Sequence, residues 1–450
     1  MKRIGKYIVR GLLGRGGMSK VFKVEIPQLG KIVALKRLDP HPLLTRLMGA
    51  DRVRHWFVSE ALTLARLDHP NIVAIRDFDE AEGVPFYTMD YFFSNLGQLI
   101  GETRRIEEPT RVIRLDRAIA ILRETLAGLA CLHHHGIVHR DIKPFNLLFD
   151  DQGRVQIGDF GLSRLRGETV GTPQGLKVGS PWYAAPEQEA SADSADARAD
   201  LYAVSVTFYR MLTGVLPGDP PRRPSELNQD LDDSWNGFIL QGLARSPDGR
   251  HADAQTMLTA LDALERDWQA HRDRICRLPP ESPPLATGGA HGPATRPRPQ
   301  PVKIDPGTAS ALFGVDRLWR PLGFIRNRFS ALADGTVRDA VSGLVWQQSG
   351  SPYPLSWKEA QAYAHEMGRR RLAGRENWRL PTVPELLSLL RPTPHGRDFC
   401  VEPVFDRRQS TLWSSDRRSY TAAWFADSEM GFVGWRDAGG RCHARAVSGA

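Results

Sequence analysis

The run His139-Arg140-Asp141-Ile142-Lys143-Pro144-Phe145-Asn146 places five polar or charged side chains between two apolar segments, 129–138 and 147–149. A short connection between apolar segments is ordinarily built from Gly, Asn or Ser. A carboxylate followed two residues later by a lysine and five residues later by an amide has a different use. Asp141 can accept the proton of an attacking hydroxyl, and Asn146 can hold a metal ion, which is the chemistry of phosphoryl transfer.

That chemistry needs phosphate-binding groups elsewhere, and the chain supplies candidates in order. Gly14-Arg15-Gly16-Gly17-Met18-Ser19 interrupts two strand-like segments. Glycines at such a junction let backbone N–H groups approach a phosphate closely. The apolar run Ile32-Val33-Ala34-Leu35 ends on Lys36, which is either a snorkelling surface lysine or a phosphate ligand. Glu60 falls within the apolar stripe Phe57, Ala61, Leu64, Leu67. A carboxylate there is costly unless paired, and Lys36 is the obvious partner. Asp159-Phe160-Gly161 combines a carboxylate, a bulky apolar residue and a glycine, which suits a metal ligand on a movable segment. Ala185-Pro186-Glu187 closes a loop rich in Gly, Thr and Ser.

Simple elements must position these groups. Alternation over residues 6–38 predicts strands, and the stripe containing Glu60 predicts a helix over 51–67. Strands follow at 72–78 and 85–89, and Met89-Asp90-Tyr91-Phe92 then reads as an extended connector. Residues 116–135 predict a helix with Ile119, Leu122, Leu126 and Leu129 inward, stopped by Gly136. Its terminal His133-His134-His135 point in different directions, against a metal site. Residues 147–157 read as a hairpin that delivers Asp159.

Composition bounds the rest. A chain of 450 residues holds two or three domains. No run of about 18 apolar residues occurs, so no membrane span is expected, and the basic N-terminus lacks a signal-peptide core. The expected location is cytoplasmic. The net charge is +8. About 36 basic and about 36 acidic groups fall in residues 1–276, so the excess lies in the last third. Its arginines are scattered, apart from Arg369-Arg370-Arg371, as on a solvated surface, and no nucleic-acid partner is expected. The four cysteines show no C-x-x-C spacing, against zinc and against a disulfide scaffold. Residues 277–310 are dense in Pro, Gly and Ala and read as a disordered linker. Beyond residue 311 the chain carries seven of the 11 tryptophans, which make either an aromatic core or a recognition surface. Ser356 predicts a capped helix from Trp357, and a second helix is expected over 383–390.

Taken together, residues 7–268 resemble a bacterial, eukaryotic-type Ser/Thr protein kinase domain. The ordered motifs run from Gly14-x-Gly16-Gly17 through Lys36, Glu60, 139–146 and Asp159-Phe160-Gly161 to Ala185-Pro186-Glu187. The resemblance implies an α+β bilobal kinase fold using ATP with Mg2+, or Mn2+, to phosphorylate protein substrates. It implies phosphate contacts by Lys36 braced by Glu60, Asp141 as catalytic base, Lys143 on the γ-phosphate, and Asn146 and Asp159 as metal ligands. Nucleotide contacts are implied for Leu13, Gly14, Gly16, Gly17, Val21, Ala34, Lys36, Met89, Asp90 and Phe92, with a hinge over 90–92. Asp200 matches the aspartate that braces the catalytic loop, and Arg250 the arginine that pairs with Glu187. Ser19 replaces a frequent third glycine. Gly158 stands where a larger apolar residue is more usual, which is expected to loosen that segment. Arg140 beside Asp141 points to control by phosphorylation, with Thr169 and Thr172 as the expected sites. The alternative is a pseudokinase scaffold whose last domain does the binding.

The last region, 311–450, is similar to the DUF1566 or Lcl C-terminal family, related to C-type-lectin-like mixed α/β folds. The carrying residues include Gly343-Leu344-Val345-Trp346 and Trp378-Arg379-Leu380-Pro381-Thr382. The resemblance implies only binding or sensing of an unidentified ligand or protein. Cys400 and Cys442 are expected as free thiols.

Overall fold

The alternating N-terminal segments form strands β1 (Tyr7–Arg15), β2 (Ser19–Ile26) and β3 (Lys31–Leu38), and β4 (Ile75–Ala81) and β5 (Val84–Asp90) follow. With the short edge strand Arg3–Ile4 they make a six-stranded antiparallel sheet in the order edge, β1, β2, β3, β5, β4. Helix α1 (Ala50–Leu64) buries Val53, Phe57, Ala61 and Leu64, and Phe57 and Ala61 pack with Tyr87 of β5. This computed structural model describes residues 2–160, 164–165, 182–190, 195–276, 297–392 and 399–449. The chain divides into two units, Met1–Arg272 and Asp273–Ala450.

The helical part of the first unit surrounds α2 (Leu115–His134) and α3 (Ala197–Thr213). Residues 199–212 of α3 are buried on nearly every side apart from Tyr202, the pattern of a central helix. Asp196 caps it by accepting from the Arg198 N–H. The hairpin β6 (Leu147–Phe149) and β7 (Val155–Ile157) forms as its alternation predicts. Gly153 turns it at φ 80°, a conformation that favours glycine.

The second unit opens with helix α4 (Pro306–Phe313) and carries α5 (Trp357–Arg369) and α6 (Val383–Ser388). Both α5 and α6 begin with full capping boxes, on Ser356 with Glu359 and on Thr382 with Glu385. Its strands are β8 (Phe329–Ala331), β9 (Thr336–Asp339), β10 (Val345–Gln347), β11 (Thr411–Arg417), β12 (Ala422–Asp427), β13 (Phe432–Asp437) and β14 (Val447–Ser448). They form two antiparallel sheets, β8-β9-β10-β14 and β11-β12-β13. Trp346, Trp378, Trp413 and Trp424 are all at most 2% exposed, so these tryptophans are core. Trp319, Trp424 and Trp435 form a triangle with centroids 5.1–5.3 Å apart. Cys400 and Cys442 are free thiols, as is Cys131.

The linker ends earlier than its composition indicates. Residues 297–310 belong to the second unit instead of a disordered tether. The buried Asp416 carboxylate accepts from the Val302 N–H at 2.7 Å and the Val383 N–H at 2.7 Å, and Arg298 reaches it at 3.0 Å. Ile304 N–H donates to the Arg417 carbonyl at 2.9 Å. A proline-rich segment is held here through backbone bonds, which composition does not reveal. Among the described residues no helix is long and apolar enough to cross a membrane.

Asp416→Ala would leave two buried N–H groups and Arg298 without their acceptor. We expect a loss of about 3 kcal/mol in the C-terminal unit. Urea unfolding of the full chain, followed by tryptophan fluorescence, reads this as a lower midpoint. An unchanged midpoint would contradict it.

Candidate active site

Lys36 lies on β3 opposite Val21 of β2 and Tyr87 of β5. Its ammonium donates to Glu60 Oε1 at 2.9 Å and stands 3.4 Å from Asp159 Oδ1. The Tyr87 hydroxyl donates to the same Glu60 oxygen at 3.0 Å. Lys36 is 3% exposed and Glu60 7%, whereas the Asp159 side chain keeps 59% of its surface open. Desolvation alone would lower the Lys36 pKa. The Glu60 charge, with Tyr87 and Asp159, outweighs it and raises the ammonium well above its usual value. Desolvation likewise opposes ionisation of Asp159, but the charge of Lys36, with that of Lys143, leaves that carboxyl below its usual range.

The charged loop rests on a buried carboxylate. Asp200, wholly buried in α3, accepts from the His139 N–H at 2.9 Å and the Arg140 N–H at 2.7 Å, and His133 Nε2 lies 2.8 Å away. These bonds hold Arg140 at φ 69°, an uncommon conformation for a side-chain-bearing residue. Burial pushes the Asp200 carboxyl up. The His133 hydrogen bond and charge, with the Arg140 N–H, more than reverse this and leave it below 3.8. The Asp141 N–H donates to His139 Nδ1 at 3.3 Å, and His139 Nε2 stands 3.2 Å from the Gly158 carbonyl. The neutral Nε2–H tautomer satisfies both contacts. The same ring packs 4.9 Å from Phe160, so one imidazole ties the loop to the segment carrying Asp159.

Within the loop, Lys143 Nζ donates to Asp141 Oδ2 at 2.7 Å. Asn146 Nδ2 donates to the Asp141 carbonyl at 2.8 Å and to Oδ2 at 3.2 Å. With its nitrogen so engaged, Asn146 offers its amide oxygen, beside an ionised Asp159, as a hard oxygen donor. That set fits a divalent cation such as Mg2+, which takes few protein ligands and completes its shell with phosphate and water.

A cavity of about 230 Å³ is lined by Leu13, Gly14, Val21, Lys36 and Met89, together with Asn146 and Asp159. Gly16, Gly17, Ala34, Asp90 and Phe92 do not border it. Gly16 instead closes its turn by donating to the Ser19 carbonyl at 2.8 Å. Ala34 pairs with Met89, one register position from Asp90. Asp90 is the last residue of β5 and not part of an extended connector, and its carboxylate is held by Arg76 at 3.0 Å. Sequence reading missed the walls made by Val73, Ile75, Tyr87, Phe145 and Leu148. Their one signal was an apolar run at 72–75 that continued into the predicted strand. Gly158 is closely packed against β6 and the segment before β4. An added Cβ would lie 2.9 Å from Leu148 Cδ1 and 3.3 Å from Val73 Cγ2, so the missing side chain permits close packing beside Asp159. The Arg250 guanidinium grips Glu187 through both oxygens, at 2.6 and 2.8 Å. Thr169 and Thr172 lie outside the described residues.

A protein kinase domain model matches residues 7–261, more than half the chain. The chain belongs to the protein kinase family. The kinase domain is similar to serine/threonine-protein kinase pkn3 of Myxococcus xanthus, at 32% identity over 58% of this chain and 50% of that one. The DNA damage-responsive serine/threonine-protein kinase RqkA of Deinococcus radiodurans is 34% identical over 59% of this chain and 41% of its own length. Serine/threonine-protein kinase PknL of Mycobacterium tuberculosis is 32% identical over 60% and 68%. The chain thus spans about half the length of the curated relatives it matches. An Lcl C-terminal domain model matches residues 335–448, behind the kinase domain.

A group whose pKa is lower folded than unfolded contributes stability that is full above its unfolded value and lost as pH falls through the folded one. For Asp200 that window lies below 3.8. Asp200→Asn should therefore cost about 3 kcal/mol at neutral pH, with the gap to the unsubstituted chain closing as pH drops below 3.8. Urea midpoints measured at pH 7 and pH 3 check this. A gap that widens in acid would contradict it.

Proposed function

We propose that this chain is an ATP-dependent Ser/Thr protein kinase whose C-terminal domain senses a ligand or recruits substrates. The observation that carries the reading is the ion-paired Lys36 facing Asp159 in one cavity with Asn146, beside a loop that holds Asp141. Lys36, fixed by Glu60, contacts the α- and β-phosphates of ATP. Asn146 and Asp159 hold the divalent metal, Mg2+ or Mn2+, which neutralises phosphate charge when bound. Asp141 orients the substrate Ser or Thr hydroxyl and takes its proton as the oxygen attacks the γ-phosphorus. The bond to the bridging oxygen breaks, and ADP leaves. Lys143, now 2.7 Å from Asp141, shares its charge with the transferring phosphoryl group.

Radiolabel transfer from γ-labelled ATP to a generic basic protein tests this. Asp141→Asn should lose about 10²–10⁴-fold in rate, the range of a positioned general base. Equal signals from both proteins would remove the enzyme reading and leave the pseudokinase scaffold.

Autophosphorylation should fall on Thr169 or Thr172, where Arg140 would receive the phosphate. Phosphopeptide mapping after incubation with Mg-ATP should place the label there. A fully active chain with neither threonine modified would contradict it.

A further inference from the structure

The buried tryptophans form the core of the C-terminal unit, so a partner must be met on other residues. Residues paired across strands stand side by side on one face of a sheet. Lys303 is bridged to Arg417, Arg417 pairs with Ala423, and Ala423 pairs with Arg436. The three cations therefore share one cross-strand row, with the small Ala423 between the two arginines. Like charges on directly neighbouring strand residues are destabilising. Lys303 and Arg417 are such neighbours, and no carboxylate offsets them. Arg417 Nη2 donates to the Tyr420 carbonyl at 2.5 Å, and Arg436 Nη1 to the Arg441 carbonyl at 2.5 Å. Among the described residues none of the three forms an ion pair.

The nearby carboxylates are engaged elsewhere. Glu359 takes Arg441 at 2.9 Å and the Ser356 N–H at 2.8 Å. Asp305 caps α4, Asp437 accepts from the Gly439 N–H, and Asp416 holds Arg298. The row is therefore a net positive strip built into the sheet at some cost to its stability.

The aromatic residues beside it narrow the partner. Lys303 Nζ lies 3.7 Å from the Tyr420 ring centroid, Arg417 Cζ 4.9 Å from that of Trp357, and Arg436 Cζ 5.1 Å from that of Phe425. Each ring already carries a cation over a face. A sugar or a nucleobase would have to displace that cation in order to stack. The N–H edges of guanidinium groups held on rings remain available, and their fork matches phosphate oxygens. We propose that the Lys303, Arg417 and Arg436 row binds phosphorylated protein segments. The inference deepens the recruiting role and rests on the kinase reading only for the source of the phosphate.

Fluorescence anisotropy with the full chain and a labelled peptide bearing one phosphothreonine among glycine and alanine residues tests the row. Binding should weaken at least about tenfold without the phosphate, and by about tenfold in Arg417→Gln/Arg436→Gln. Arg418→Gln should bind as the unsubstituted chain does, because Arg418 lies over Trp435, which neighbours Arg436 on the opposite face of its strand. Thermal unfolding of the double variant should show a single folded transition, so that lost binding is read as loss of the cations and not of the fold. Lys303→Gln gives a second variant that leaves both arginines in place, and should also weaken binding. Equal affinity for the unphosphorylated peptide, or full binding by the double variant, would overturn the proposal. So would tighter binding of a single-stranded oligonucleotide than of the phosphopeptide. Because the peptide is supplied phosphorylated, Asp141→Asn should bind it normally, so failure of the kinase reading and failure of this one are separable.

Discussion

An ammonium group withdrawn from water stays charged only where opposite charge surrounds it, and the small lobe is arranged around meeting that condition for Lys36. Strand β3 presents the lysine, α1 brings Glu60 to 2.9 Å, and Tyr87 of β5 donates to the same carboxylate. If α1 shifted away, it would leave a buried ammonium without its partner, at a cost of about 3–5 kcal/mol. The position of α1 and the charge in the cleft are therefore one constraint. Asp159 closes the set from the other lobe, and its open surface leaves a charged oxygen facing the cavity.

A second buried charge fixes the loop below. Asp200 sits in the most enclosed helix of the kinase domain and has value there only because three donors converge on it. Two of those donors are the backbone N–H groups of His139 and Arg140. The loop is thereby set by α3, and the imidazole of His139 passes that placement to Gly158 and Phe160. The two lobes contribute opposite halves of one arrangement. A lysine is held by carboxylates above, and an aspartate is held by donors below.

Much of this was legible in the residues. Charge placed inside an apolar pattern is visible without a structure, and both Lys36 and Glu60 announced themselves that way. Asp141, Asn146 and Asp159 stood out by spacing. What stayed hidden depended on packing or on backbone bonding. The contact between Gly158 and Leu148 needs two segments brought to van der Waals distance. Tyr87 reads as an ordinary strand aromatic until its hydroxyl meets Glu60. Asp90 looked like connector because sequence gives no hydrogen-bond register, and register carries β5 one residue further. The segment at 297–310 was lost in proline-rich composition, since its attachment is through N–H groups to Asp416. The tryptophan density had two readings, and burial decides for a core.

The two units draw on different physics. In the kinase domain buried charges are paired, and pairing fixes geometry. On the sheet of the C-terminal unit Lys303 is exposed and Arg417 and Arg436 are half-buried, and among the described residues none of the three is paired with a carboxylate. The measurement that tests the central claim most directly is phosphoryl transfer by Lys36→Met, with circular dichroism to follow the fold. A retained spectrum with a rate at least about a hundredfold lower is the expected result. A Lys36→Met chain that transfers phosphate as fast as the unsubstituted one would contradict it.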